Sequence, residues 1–142
     1  MKWILIDDVM ISCATAGAVP DGVWAAYVKD LSEKRFTKHL ATAVGAVELT
    51  SVQRKSASEA IKRREVPVAV VTDDRLVRGI VTAVSWLGVD IKAFSWGEVR
   101  PALRHLRVPP GAEDQAFMGL MNLRNACMSE AASIELRPIG PG

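Results

Sequence analysis

Two adjacent hydroxyls, Thr50 and Ser51, are the residues of this chain best placed to do chemistry. They follow a small, apolar run from Leu40 to Leu49 and precede a helical pattern from Val52 to Arg64. That spacing puts them where a buried strand hands over to a helix, at the carboxyl end of a parallel sheet. Ligands and switches of open α/β sheets collect on that edge. Two roles suit a hydroxyl there. One is a helix cap, accepting a hydrogen bond from an orphan backbone N–H for about 1 kcal/mol. The other is phosphorylation, which adds about two negative charges. The roles are compatible. Gln53, Arg54 and Lys55 make the neighbourhood cationic, and Ser56 and Ser58 are weaker candidates on the same helix.

Other chemistries find little support. His39 and His105 are the only histidines, and neither has a partner at metal-ligand spacing. There is no glycine-rich phosphate loop and no G-x-S-x-G nucleophile turn. The expectation is therefore a protein that is not an enzyme, with no catalytic residues, no cofactor and no metal. Asp7-Asp8 after the first β-prone run matches the acidic pocket of a phospho-receiver, with Lys92 in support. The match fails at the middle strand, which ends Glu48-Leu49-Thr50 without an acceptor Asp, so the two acids read as a turn. Cys13 and Cys127 have no Cys or His neighbours and read as small buried apolar residues in a reducing cytoplasm. Basic residues gather at Lys34, Arg35 and Lys38, at Lys62 to Arg64, and at Arg100, Arg104 and Arg107. Net charge is only +2 and no aromatic platform accompanies these groups, so nucleic acid is not an expected partner. A solvated face is their default role; a dock for an acidic partner is the minority reading.

At 142 residues the chain has room for one domain. Hydrophobic residues at 49% and charged residues at 24% exclude a disordered or collagen-like chain. No apolar run nears the roughly 18 residues that span a bilayer. Asp7 and Asp8 interrupt the first apolar run, so no secretory signal is read there, and a soluble cytoplasmic protein is expected.

Trp3 to Ile6 and Val9 to Ala14 predict a hairpin turning at Asp7-Asp8, with one continuous strand as the alternative. Ala16 to Gly22 reads as a loop, and Val23 to Glu33 as an amphipathic helix. The second half of Leu40–Leu49 reads as a buried strand. Val52, Ala57, Ala60 and Ile61 line one face of the next helix. Val66–Thr72 is apolar on both faces, as in a parallel sheet covered on each side. Asp73-Asp74 caps a helix over Arg75–Leu87, with a stripe of Leu76, Val77, Ile80, Val81, Val84 and Leu87 and a stop at Gly88. Gly79 within it hints at close packing, and Trp86 and Trp96 at core or edge packing. Val89–Phe94 reads as an edge strand and Glu98–Leu106 as a short helix. Glu113–Met128 reads as a separate helix carrying Phe117, Leu120 and Met121, and the tail Arg137–Gly142 as loose. The fold class is α/β: a sandwich of a mainly parallel sheet with an N-terminal hairpin, four helices and an appended C-terminal helix. Domain bounds are 1–108 and a C-terminal extension over 109–142.

With this order in hand, VPVAVVTDDRLVRGIVTAVSWLGVDIKAF (residues 66–94) and, less distinctively, GAVELTSVQRKSASEAI resemble the STAS domain family. These are the anti-sigma-factor antagonists and the small bacterial proteins of STAS/SEC14 or SpoIIAA-like type. The resemblance spans residues 2–107. In that family a strand ends in Asp-Ser-Ser/Thr-Gly, whose serine a partner kinase phosphorylates. Thr50-Ser51 occupies the matching position, with Leu49 where Asp is expected and Val52 where Gly is. The resemblance implies a signalling module that works by protein–protein contact with a kinase or other regulator. Thr50, Ser51, Gln53, Arg54 and Lys55 are the expected phosphorylation or partner-binding residues. Phe117, Leu120 and Met121 form a second expected partner patch, with a homodimer through the C-terminal helix. The alternative is a small-ligand or lipid carrier with its pocket between the sheet and the methionine-bearing helix.

Overall fold

The computed structural model of the chain describes the backbone of residues 1–135 and the side chains of residues 1–131. The tail expected to be loose, Arg137–Gly142, lies outside the described residues. The elements are β1 (Lys2–Ile6), β2 (Val9–Ala18), α1 (Asp21–Glu33), β3 (Lys38–Glu48), α2 (Ser51–Arg64), β4 (Val68–Val71), α3 (Arg75–Ser85), β5 (Ile91–Phe94), a 3-10 turn (Trp96–Glu98), α4 (Val99–His105) and α5 (Pro110–Glu135). The α/β class is as expected. One sheet of five strands runs β1-β2-β3-β4-β5, with β1 antiparallel to β2 and the rest parallel. The hairpin turns at Asp7-Asp8, where Asp7 takes φ 51°, a left-handed conformation that a short polar side chain tolerates.

Alternation along β2 and β3 divides the molecule into two cores. Val9, Ile11, Cys13 and Leu40 face α4 and α5. Met10, Ser12 and His39 face α1. Each crossover steps one strand further in one direction, which carries α1, α2 and α3 over the same face. On the other face Ala116, Leu120, Leu123 and Cys127 of α5 complete the core with Val99, Leu103 and Leu106 of α4. The helix expected as an appendage thus shares the core of the sheet. A Cβ at Gly119 would collide with Ile6 Cδ1, so glycine there permits the close approach of α5 to β1. No helix among the described residues is long and apolar enough to cross a membrane.

Several local expectations are corrected. Ala16–Ala18, read as loop, extend β2, which pairs with β3 out to Ala18↔Glu48, and β3 runs over Lys38–Glu48 instead of only the second half of Leu40–Leu49, because its first half pairs with both β2 and β4. Gly45, at φ 77°, inserts one extra residue in β3 beside the Thr15/Gly17 register shift, a bulge of the glycine type. The apolar stripe of α3 is only partly used: Val81 is buried, whereas Leu76, Ile80 and Leu87 are exposed. This helix lies over the β5 edge of the sheet, and among the described residues no further element covers its outer side. Val52 and Trp86 are likewise exposed, at 76% and 81%. Trp96 does pack, donating Nε1–H to Ala43 O at 2.8 Å under the Arg124 guanidinium.

Gly79 is also exposed, and a Cβ built on it meets nothing within 4 Å, so it marks no close contact. Gly79→Ala is expected to stabilise the protein by about 0.5–1 kcal/mol. Denaturant unfolding would show a higher midpoint at unchanged slope, and a lower midpoint would contradict the open surroundings of this position.

Candidate functional site

The α2 N-terminus is organised by a reciprocal cap. Thr50 Oγ1 accepts from the Gln53 backbone N–H at 3.1 Å, and Gln53 Oε1 accepts from Thr50 N–H at 3.0 Å. The rest of the Gln53 side chain turns inward, donating from Nε2 to Val19 O at 2.8 Å and to Asp21 Oδ1 at 3.0 Å. Gln53 is therefore buried and is not a partner-facing residue as expected. It ties α2 to the start of α1. Trp24 completes the tie: its Nε1–H lies 2.9 Å from Gln53 O and 3.2 Å from Ser56 Oγ.

The other three residues of the expected edge point outward. Ser51 is exposed at the first helical position and makes no hydrogen bond among the described residues, and Arg54 and Lys55 are exposed beside it. Thr50 is exposed but its oxygen is engaged in the cap. Between α1 and α2 runs a shallow groove of ≈ 720 Å³, walled by Trp24, Ala25, Val28 and Val52, with Lys29 and Asp21 on its α1 side. Sequence reading missed these α1 residues because their helical spacing marked only a core face. Asp21 after Pro20, an acid in a first turn, was the one available signal.

The second expected patch is corrected. Leu120 is fully buried against the sheet, Phe117 and Met121 pack partly into the same core, and Arg100 stacks over Phe117 at 4.4 Å. Leu120 cannot meet a partner without opening that core. Arg100 and Arg104 are answered internally by α5, with Arg100–Asp114 at 2.7 Å and Arg104–Glu113 at 3.1 Å, whereas Arg107, the third of those basic residues, is exposed with no ion pair among the described residues. Asp8 likewise serves the fold, accepting from Thr37 and from Lys38 Nζ at 2.7 Å. The hydrogen bonds from Lys38 and Thr37 hold its carboxyl below the ordinary range. The cysteines meet across the core: Cys127 Sγ donates to Cys13 O at 3.3 Å, and burial pushes the Cys13 thiol up. Among the described residues no three His, Cys, Asp or Glu side chains are grouped to hold a metal.

A buried polar chain that the sequence did not reveal lies under α1. Tyr27 Oη is 2.7 Å from His39 Nε2 and 3.2 Å from Ser12 Oγ, with Trp3 and Trp24 packed on the Tyr27 ring. Burial pulls the His39 imidazole down to about 4, from an ordinary 6.5, and pushes the Tyr27 phenol above its ordinary range. His39 Nδ1 has no partner among the described residues. An orphan lone pair is better tolerated than an orphan N–H, so the favoured tautomer carries its proton on Nε2. The order of donation is then His39 to Tyr27 to Ser12.

The space expected between the sheet and the C-terminal helix is filled, because Leu120, Leu123 and Cys127 of α5 pack directly on β2 and its neighbours. A cavity lies instead on the opposite face of the sheet, over β2 to β4. No protein-family model matches this chain, and no curated protein matches it.

Gln53→Ala is expected to destabilise the protein by about 1–3 kcal/mol, since it removes the side-chain half of the cap and strands the Val19 carbonyl. Arg54→Glu should stay within about 0.5 kcal/mol, and thermal unfolding of the pair separates the inward residue from the outward one. For His39, the folded imidazole is harder to protonate than the unfolded one. Its contribution is complete above about pH 6.5, is lost as pH falls towards 4, and is constant below that. The loss amounts to about 3 kcal/mol, and urea midpoints for wild type and His39→Gln across pH 7 to 4 should converge as the pH falls.

Proposed function

We propose that this chain is a non-enzymatic, STAS-like regulatory module of the cytoplasm that acts by protein–protein contact at the α1–α2 edge, with Ser51 as its switch. The observation that carries this reading is the division of labour in the first turn of α2. Thr50 and Gln53 supply the cap, which leaves the adjacent Ser51 hydroxyl exposed and without a hydrogen bond among the described residues. Val52, on the same turn, presents an exposed apolar side chain to the groove beside Trp24 and Val28. Lys29, Arg54 and Lys55 set a basic rim, complementary to an acidic segment of a kinase or other regulator.

A phosphate on Ser51 would sit among the unpaired N–H groups of the α2 N-terminus, where helix polarity favours an anion. It would also offset the charge of Arg54 and Lys55, weakening an acidic partner's hold. The absence of the family's Asp and Gly, replaced by Leu49 and Val52, changes what a kinase meets at this edge without removing the hydroxyl.

Phosphopeptide mapping of the protein purified from its native cells tests this reading. Phosphate on Ser51 with Thr50 unmodified is the expected result, and an unmodified edge under several growth conditions would end the case for a switch. Ser51→Asp and Arg54→Glu should each lower affinity for the acidic partner by about three- to tenfold at an unchanged melting temperature. Normal binding by both variants would remove the edge from the contact.

A further inference from the structure

The face of the sheet beneath α1 and α3 has an unusual floor. Its in-register neighbours Ser12, Ala41 and Val70, together with Ala14, Ala43, Gly45 and Thr72, are nearly all small. The helix that should fill the space above them cannot do so. α2 buries only Gln53 and Ala60, and its apolar Val52 points to solvent. A cavity of ≈ 170 Å³ remains, bounded by Trp24 and Tyr27 of α1 and by Val77 of α3. That is close to the volume of about 150 Å³ in which an apolar protein cavity holds benzene.

Four hydroxyl-bearing residues interrupt the apolar lining; Tyr27 and Thr42 already donate, to Ser12 Oγ and Ser12 O, which leaves Ser12 and Thr72. Ser12 and Thr72 are both at least nine-tenths buried. Ser12 Oγ accepts from Tyr27 at 3.2 Å, and Thr72 Oγ1 accepts from the Asp74 backbone N–H at 3.1 Å. Each hydroxyl also carries a proton, and neither proton has an acceptor among the described residues. The donation order from His39 through Tyr27 makes Ser12 the terminal donor of a buried chain that ends at the cavity. A buried donor without an acceptor is destabilising. Among the described residues no charged side chain lines the space, so an ionised ligand would be desolvated there without a side-chain counter-charge.

We propose that this cavity binds one small, uncharged, largely apolar molecule presenting a carbonyl-type hydrogen-bond acceptor to Ser12, the end of the buried donor chain. The size class is about six to eight non-hydrogen atoms, near that of benzene. This site shares Trp24 with the groove at the Ser51 edge but does not depend on the protein-partner reading.

The test is an NMR titration of the full chain with two probes of matched shape, cyclohexanone and methylenecyclohexane, which differ in the acceptor. Saturable amide shifts at Ser12, Ala41, Ala43, Val70 and Thr72 are expected, with cyclohexanone binding about tenfold tighter, the worth of one hydrogen bond. Ser12→Ala should narrow that preference and Thr72→Val should not, while both leave methylenecyclohexane binding intact. The proposal fails if neither probe gives saturable shifts at millimolar concentration, as for a site occupied only by water. It also fails if the shifts map elsewhere, or if wild type binds both probes equally.

Discussion

Burial of β2 on both faces is the constraint from which the rest of the structure follows. Met10, Ile11 and Cys13 are almost wholly inaccessible, and they alternate between two cores that never mix. A strand so placed needs a covering layer on each side and a paired neighbour at each edge. The hairpin strand β1 supplies one edge and β3 the other. The first three helices cover one face, which leaves α4 and α5 to cover the second. Without α5, Ile11 and Cys13 would face water, so residues beyond Pro109 belong to the stability of the sheet.

The two faces are packed by different means. Beneath α4 and α5 the core is mainly aliphatic, with Leu40, Leu103, Leu106 and Leu120 clustered with Phe94, and Arg100 and Arg104 pair with α5 acids at its rim. Beneath α1 it is aromatic and polar, built on Trp3, Trp24, Tyr27 and His39. Small floor residues and a polar α2 leave space there, and buried hydroxyls border it. Such a face gives up packing energy. A retained gap lined by hydroxyl groups is the kind of local inconsistency that functional sites show.

Gln53 links this face to the edge proposed for partner contact. One side chain caps α2, anchors Val19 and meets Asp21, so the groove wall and the Ser51 turn are set by the same amide. The resulting edge is rigid behind and open in front. Its outward residues are short of internal partners, whereas the basic residues of α4 already have theirs.

Legibility in the sequence followed the range of the interaction that decides each feature. Period-two and helical patterns, the Asp74 cap, the Thr50 cap and the hairpin at Asp7-Asp8 depend on neighbours a few residues apart, and all of these were readable from residue order. Exposure of Leu76, Ile80 and Trp86 was not, because an apolar stripe is buried only where another element covers it, and α3 lies at the sheet's edge. Gln53 reads as polar and outward until Val19 and Asp21, more than thirty residues earlier, are brought beside it. Leu120 reads as a surface anchor until α5 folds onto β2. The chain of His39, Tyr27 and Ser12 likewise spans three elements. Local composition determined the elements and their order; the fold alone decided which polar groups are enclosed, since burial is a property of what packs across from a residue.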